Sequence, residues 1–220
     1  MPHAGSKMSS KPSEDELRLL RSLLVDIQAD AARRLVLAAV AAFAARGYYA
    51  TTTRDISVAA GMSPSAMYVH YASKEDLLFQ ALKIAHDAAR RAISESARAI
   101  TAPDERLRMI AHDFTLWHAD HPSLARVAQY ELDALSPQHY MVIANVRHRT
   151  ESIVRAEIQH GLEQGVFQVQ DVATSTRAIL SMGIDVSRWF RAGGTLTSSV
   201  LADNYAELAL RIVGSPARGE

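Results

Sequence analysis

Cysteine is absent from the 220 residues, and the chain lacks other features that would indicate particular classes of protein. Without cysteine it has no disulfide framework, no thiol nucleophile and no thiolate zinc site. No apolar run approaches the ~20 residues of a membrane-spanning helix. The N-terminal residues 1–13 also lack the apolar stretch of a signal peptide. We therefore expect a cytoplasmic protein without a membrane partner.

Sequence motifs of enzymes and metal sites are missing as well. There is no nucleophile elbow, no phosphate-binding glycine loop and no paired Glu-x-x-His motif, so we expect no catalytic residues. Among the nine histidines, His112, His118 and His121 lie close together, but only the last two share a helix face. The neighbouring Asp113 and Asp120 complete no clear ligand set, and we predict no metal site and no resident cofactor.

Charge and composition are those of an ordinary globular protein. The formal net charge is zero, 48% of the residues are hydrophobic and 22% are charged. Residues 31–86 nevertheless contain six basic and three acidic residues, which gives that segment a net charge of +3. A local positive charge of this size is compatible with a few phosphate contacts per subunit.

Two short helices joined by a tight turn are predicted within residues 51–78. Thr52 or Thr53 is suited to cap the first helix, and Gly61 to end it, because glycine adopts a left-handed backbone without steric cost. Ser63 followed by Pro64 is typical of a new helix start. This is the pattern of a helix-turn-helix, in which the second helix enters the major groove of DNA. The segment predicts double-stranded DNA as a partner.

The spacing along the second predicted helix separates its inner face from its outer face. Met67 and Tyr71 are four residues apart and should pack inward against Ile56 and Phe43. The hydroxyl, methyl and ring groups that remain toward the groove suit bases or phosphates. These side chains belong to Ser65, Ala66, Tyr68, Val69 and His70. The alternative is that they are ordinary surface residues of an amphipathic helix.

Lys74 opens the next helix and offers its ammonium group to a phosphate, as Thr53 and Arg54 do with their donors at the start of the preceding helix. The alternative for Lys74 is a solvated charge near a helix cap. The complete set of predicted DNA-binding residues is Thr53, Arg54, Ser63, Pro64, Ser65, Ala66, Tyr68, Val69, His70 and Lys74.

Residues 33–82 resemble the DNA-binding domain of the TetR family. The shared features are a first helix ending at Gly47, the segment 51–56, the Ala-Gly pair at 60–61, Ser63, Tyr68, His70-Tyr71 and the segment 73–78. Ser65 departs from the glycine found in many members. The resemblance implies an all-helical, homodimeric regulator of transcription, usually a repressor. It also implies a divergent C-terminal domain that binds a small molecule and thereby releases DNA.

The expected organisation has four parts. Residues 1–12 form a disordered tail, and residues 13–28 form an extra helix that begins with a Ser13-to-Glu16 capping box. This helix either packs on the next domain or reaches DNA through Lys11, Arg18 or Arg21. Residues 29–84 form a three-helix DNA-binding domain. Residues 85–220 form a larger helical domain for ligand binding and dimerisation.

Apolar residues recur at helical spacing on the last two long predicted helices. In the family that the chain resembles, such a pair of helices meets its symmetry mate in a four-helix dimer interface. The predicted interface residues are Met182, Val186, Trp189, Phe190, Leu201, Tyr205 and Leu208. The alternative is that they form ordinary core within one chain.

A mostly apolar pocket with a few polar groups is the usual form of a small-molecule site. The candidate lining residues are Met109, His112, Phe114, Trp117, Tyr130, Tyr140 and Asn145. A packed core explains them equally well. The segments 161–167 and 186–197 are similar to TetR-type regulators of fatty-acid and sterol breakdown, which implies an acyl-CoA as the effector. The alternatives are a ligand-independent regulator or activator of the same fold and, remotely, a helical-bundle enzyme.

Overall fold

The computed structural model describes residues 12–215, with Ser96 described for its backbone alone, and all regular structure in that range is helical. The predicted all-helical fold is confirmed. The predicted tail lies outside the described residues except for Pro12. No helix of the described range is long and apolar enough to cross a bilayer. The helices are α1 (Glu14–Leu23), α2 (Asp30–Arg46), α3 (Thr53–Ala59), α4 (Pro64–Met67), α5 (Lys74–Ser96), α6 (Pro103–Asp120), α7 (Pro122–Tyr130), α8 (Pro137–Glu163), α9 (Val172–Trp189) and α10 (Ser198–Ile212).

The chain forms two compact units, and they differ from the domains expected from the sequence. Within the described range, the first unit contains residues 12–84 together with Ser123–Tyr140. The second contains Ala85–Pro122 and residues 141–215. Residues 123–140, which include almost all of α7, were expected in the C-terminal domain. Helical periodicity identifies an apolar face but not the neighbour that covers it, so the pattern did not reveal this insertion.

The first unit is built on the apolar face of α2. Leu35, Val36, Ala39, Val40 and Phe43 recur at helical spacing and are all buried. Ile56 from α3 and Met67 from α4 are fully buried in the same unit. Burial of each of these two side chains contributes about 1.5–3 kcal/mol, which holds the two short helices in place.

The extra N-terminal helix α1 packs into the first unit. Leu20 and Leu24 are buried and line a small apolar pocket together with Leu124 of α7. Ser13 caps α1 by accepting a hydrogen bond from the Glu16 backbone N–H at 3.1 Å. The structure thus supports the packing role that we considered for this helix.

The predicted capping box at Ser13 is only half correct, because the Glu16 side chain binds elsewhere. Its carboxylate accepts hydrogen bonds from the Ser123 backbone N–H at 2.6 Å and the Ser123 hydroxyl at 2.9 Å. Glu16 therefore caps the first turn of α7, where a negative charge is favoured by the helix dipole. Burial raises the pKa of the Glu16 carboxyl, and the two hydrogen bonds from Ser123 oppose that effect.

The second unit is organised around α6, which packs against α9 and α10. Gly183 of α9 faces Phe114 of α6 so closely that an added Cβ would lie 2.7 Å from the phenyl ring. Arg108 of α6 donates to Glu207 of α10 at 2.9 Å. Helix α6 begins with Pro103 after Ala102, and Asp104 lies in its first turn. Gly183 is the small residue that allows this close helix packing.

Candidate nucleic-acid interface

The start of α3 is fixed by a reciprocal cap. The Thr52 hydroxyl accepts from the Asp55 backbone N–H at 3.1 Å, and the Asp55 carboxylate accepts from the Thr52 N–H at 3.0 Å. These hydrogen bonds, aided by nearby Arg46, lower the pKa of the Asp55 carboxyl. Thr52, one of the two predicted caps, is therefore the cap. Thr53 is half-buried in the first turn, and Arg54 beside it is exposed.

The turn after α3 closes as predicted at Gly61, whose φ of 69° lies in the left-handed region. The Met62 N–H donates to the Ser57 carbonyl at 2.8 Å, and the Gly61 N–H donates to the Val58 carbonyl at 3.0 Å. This pair of bonds is a Schellman motif, which satisfies the last carbonyls of the helix. Arg34 of α2 donates to the Ala60 carbonyl at 3.0 Å and so holds the turn against α2.

Helix α4 begins as predicted but is shorter than expected. Ser63 caps it by accepting from the Ala66 N–H at 3.2 Å, and Pro64 occupies the first position. The helix ends at Met67, and residues 68–70 continue as a turn held by hydrogen bonds to the Ala66 and Met67 carbonyls. The expected helix over 64–71 is therefore only partly formed.

The outer face of α4 and its turn carries small and aromatic side chains. Tyr68 is 53% exposed and Val69 is 80% exposed. Met67, the last residue of α4, is fully buried. Ser65 is also exposed, and its hydroxyl lies 3.0 Å from that of Ser63. Ala66, His70 and Tyr71 are half-buried. Burial raises the pKa of the Tyr71 hydroxyl, as expected for an inward-facing ring.

Lys74 has a contact that the sequence did not reveal. Its ammonium donates to the Tyr48 carbonyl at 2.8 Å and to the Thr51 carbonyl at 2.7 Å, and it lies 4.0 Å from the centre of the Tyr48 ring. Partial burial lowers the pKa of this ammonium, and the Glu131 carboxylate opposes the shift. Because an ammonium has three N–H donors, one remains for the predicted phosphate contact. Lys74 therefore ties the loop before α3 to the start of α5.

The side chains that position this surface include three that sequence reasoning missed. They are Arg34, Tyr48 and the buried Thr51, whose hydroxyl donates to the Gly47 carbonyl at 2.8 Å. The partners of Arg34 and Tyr48 lie 26 residues away in the chain, and the partner of Thr51 lies four residues away. Only the run of three threonines at 51–53 gave any signal, because it indicated that a cap was nearby. The arrangement presents small side chains, a phenol and Arg54 on a rigid support, which suits contact with a DNA groove and its phosphates.

Family models account for both halves of the chain. A model for bacterial regulatory proteins of the tetR family matches residues 30–81, and a model for the tetracyclin repressor-like C-terminal domain matches residues 100–213. The chain belongs to the TetR family. The resemblance inferred from the sequence is therefore confirmed. This TetR-family chain is a DNA-binding regulator of transcription.

Individual relatives of this TetR-family chain agree with the assignment. The HTH-type transcriptional repressor KstR2 of Rhodococcus jostii is 28% identical over 87% of this chain and 96% of its own length. The crystal structure of a tetR-family regulatory protein from Rhodococcus RHA1 is 40% identical, covers 86% of this chain and all of that one, and has a TM-score of 0.83. AibR, solved with isovaleryl coenzyme A and operator DNA, shares the fold at 20% identity, with a TM-score of 0.75 over 85% of this chain and all of that one.

The predicted dimer-interface set of the TetR-family chain needs correction. Val186, Phe190 and Leu201 are buried against one another and Ala119 within the second unit, so they have no surface to offer a partner. They are the intramolecular core that we gave as the alternative. Four members of the set keep exposed surface, with Trp189 at 41%, Leu208 at 39%, and Met182 and Tyr205 half-buried.

The structure places the predicted ligand residues in different local surroundings. Phe114 and Trp117 are buried core residues of α6. His112 bonds Asp113 at 2.7 Å and lies 3.7 Å from Asp203. Tyr130 and Tyr140 belong to the first unit and, like Asn145 of the second, are exposed, whereas Met109 is half-buried.

Two histidines at the end of α6 bond backbone carbonyls one turn earlier. His118 is buried, its Nδ1 bonds the Phe114 carbonyl at 2.7 Å, and burial lowers its pKa to about 4. His121 bonds the Trp117 carbonyl at 3.0 Å, and burial lowers its pKa too.

Among the described residues, one group of Glu75, Asp76 and His139 has potential metal-ligand atoms within 4.8 Å of one another. The Glu75 carboxylate there already binds the His139 ring at 2.8 Å and the Ser136 N–H at 2.8 Å. These contacts join the starts of α5 and α8 within the first unit.

Proposed function

We propose that this TetR-family chain is a repressor that binds a palindromic operator as a homodimer and is released by a small-molecule effector. The observation that carries the proposal is the α3–turn–α4 surface. Both of its helices are capped, its inner residues Ile56 and Met67 are fully buried, and Ser65, Tyr68 and Val69 face solvent. A dimer would present two such surfaces about 34 Å apart, one turn of DNA.

The DNA contacts divide by chemistry. We assign base-edge contacts to Ser65, Ala66 and Val69, because small side chains allow close approach and methyl groups suit thymine. Phosphate contacts fall to the hydrogen-bond donors of the predicted set, which fix the orientation of the protein without reading sequence. These donors are Thr53, Arg54, Ser63, Tyr68, His70 and the remaining N–H of Lys74. We place the protein in the cytoplasm, because the chromosomal DNA that it would bind lies there.

The dimer would form through α9 and α10. Trp189 with the neighbouring Arg188 is the favoured centre, because Trp and Arg are enriched where binding energy concentrates in interfaces. Exposed Leu208 and half-buried Met182 and Tyr205 would extend the patch. A twofold axis would bring the same patch of both copies together.

The effector that we propose is a small apolar molecule or an acyl-CoA. Relatives of this chain are named KstR2 repressors, and the AibR structure shares its fold and contains isovaleryl coenzyme A. A coupling of only ~1–3 kcal/mol between effector and operator would change DNA occupancy several-fold or more. We propose no catalytic residues and no resident metal.

The test is fluorescence anisotropy of the full chain on the DNA upstream of its own gene. Salt is titrated first, and long-chain and sterol-derived acyl-CoAs are then added at fixed salt. We expect tight binding that requires an intact palindrome and is released by one of the thioesters. Tight binding that no thioester changes would support a ligand-independent regulator instead, and binding without sequence preference would contradict an operator-specific function.

A further inference from the structure

A cleft of about 510 Å³ lies in the second unit between the end of α5, α6 and α8. Its apolar wall includes Ile93, Ile110 and Ile153, and its polar lining includes Arg98, Arg106 and Glu157. Cavities of roughly 300–1,000 Å³ with mostly apolar walls and a few polar groups are typical of small-molecule sites. None of the ligand residues predicted from the sequence lines this cleft.

Glu157 is the unusual residue of the cleft. It is only 4% exposed, and its Oε2 accepts a hydrogen bond from the Arg106 Nε at 2.8 Å. Its Oε1 is buried and has no hydrogen-bond partner among the described residues. A buried carboxylate oxygen without a hydrogen-bond donor is costly, because burial removes it from bulk water. A ligand that donates an N–H or O–H to Oε1 supplies the hydrogen bond that the described residues do not make.

The cations beside Glu157 define the second requirement on the ligand. Arg106 is bound to Glu157 and to the Ile100 carbonyl at 3.2 Å, which uses two of its five N–H donors. Arg98 is exposed and also lines the cleft. One carboxylate and two guanidinium groups leave a net positive charge, which favours an anion. The 2.8 Å contact between Arg106 and Glu157 means that the anion and the donor must lie close together on the ligand.

We propose that this cleft binds an amphipathic anion whose apolar chain ends in an N–H or O–H donor next to an anionic group, as in an N-acyl amino acid. The apolar wall takes the acyl chain, Glu157 accepts from the donor, and Arg106 with Arg98 binds the anion. The inference does not depend on the proposed function, because it concerns what the cleft binds and not which molecule releases DNA.

Two probe molecules differ only in whether their amide nitrogen carries a hydrogen or a methyl group. N-dodecanoylglycine has an amide N–H next to its carboxylate, and N-dodecanoylsarcosine has a methyl group in place of that hydrogen. Isothermal titration calorimetry of the full chain without DNA, below micelle-forming concentrations, measures both affinities. We expect the glycine compound to bind at least about tenfold more tightly, the effect of one hydrogen bond to a charged group.

Glu157→Gln tests whether the preference arises in this cleft. The glutamine oxygen can still accept from Arg106, but its NH₂ then replaces the free acceptor and faces the ligand N–H. The ratio of the two affinities should fall to about one. The matched control is Glu163→Gln, an exposed glutamate near the end of the same helix, which should keep the wild-type ratio. Thermal unfolding by circular dichroism verifies that each variant is folded.

Every outcome of this experiment decides the proposal. A preference in the wild-type protein that disappears only in Glu157→Gln supports it. Failure of both probes to bind, equal affinities in the wild type, or a preference that persists in Glu157→Gln overturns it, since bulk alone would explain a persistent difference. Because no DNA is present, a negative result leaves the operator-binding proposal intact, and a chain that fails to bind DNA leaves the cleft result intact.

Discussion

The buried His118 makes a definite prediction for stability against pH. Its pKa is about 4 in the folded chain, against an ordinary value of 6.5, because burial disfavours the charged imidazole. Between these two values the unfolded chain binds a proton that the folded chain does not. Stability from His118 is therefore fully present above pH 6.5 and is lost as the pH falls toward 4. The shift corresponds to a loss of about 3 kcal/mol.

The measurement compares wild-type protein with His118→Gln, which retains a donor for the Phe114 carbonyl but does not titrate. Urea unfolding at pH 7, 6, 5 and 4.5 gives the difference in unfolding free energy between the two proteins. We expect the wild-type advantage to shrink by about 2–3 kcal/mol between pH 7 and pH 4.5. His148→Gln on the exposed side of α8 is the control and should show little change. If the difference in unfolding free energy between wild type and His118→Gln does not change with pH, the lowered pKa of His118 is contradicted.

Three further variants test other contacts. Tyr68→Ala should weaken operator binding about tenfold or more. Because the Tyr68 ring is half exposed, thermal unfolding should not change. Unchanged anisotropy would remove Tyr68 from the DNA-binding set. Lys74→Ala should lower the salt slope of DNA binding by about 1 per subunit and also cost about 1–2 kcal/mol in urea unfolding, because two hydrogen bonds to carbonyls are lost. A sequence-selective loss would mean that Lys74 contacts bases. Glu16→Ala should cost about 2 kcal/mol by uncapping α7, whereas the exposed Glu14→Ala should cost only a few tenths; equal costs would contradict the cap.

Local rules predicted the helix-turn-helix well. Thr52, Gly61 and Ser63 act as cap, stop and cap in the structure, because each role depends on hydrogen bonds or backbone angles within a few residues. Met67 is buried as its spacing to Tyr71 indicated. The same spacing did not show how soon α4 would end.

Long-range contacts explain the errors. Glu16 fits the sequence pattern of a capping box, yet its carboxylate binds Ser123, which is 107 residues away. Lys74 looked like a free surface charge because its partner carbonyls lie 23 and 26 residues earlier in the chain. The cleft depends on Glu157 meeting Arg106 across 51 residues. No periodic pattern encodes such pairs, so the predicted ligand residues include neither Glu157 nor Arg106.

A negative charge placed on the outer surface beside α4 tests whether this surface binds DNA. Val69 is 80% exposed, so Val69→Glu should leave the fold intact while it sets a carboxylate against the DNA backbone. Val25→Glu makes the same change at a residue 64% exposed in the loop after α1 and serves as the control. By anisotropy on the upstream DNA, we predict that Val69→Glu abolishes specific binding and Val25→Glu retains it. Wild-type affinity in a folded Val69→Glu protein would contradict the assignment of this surface to DNA.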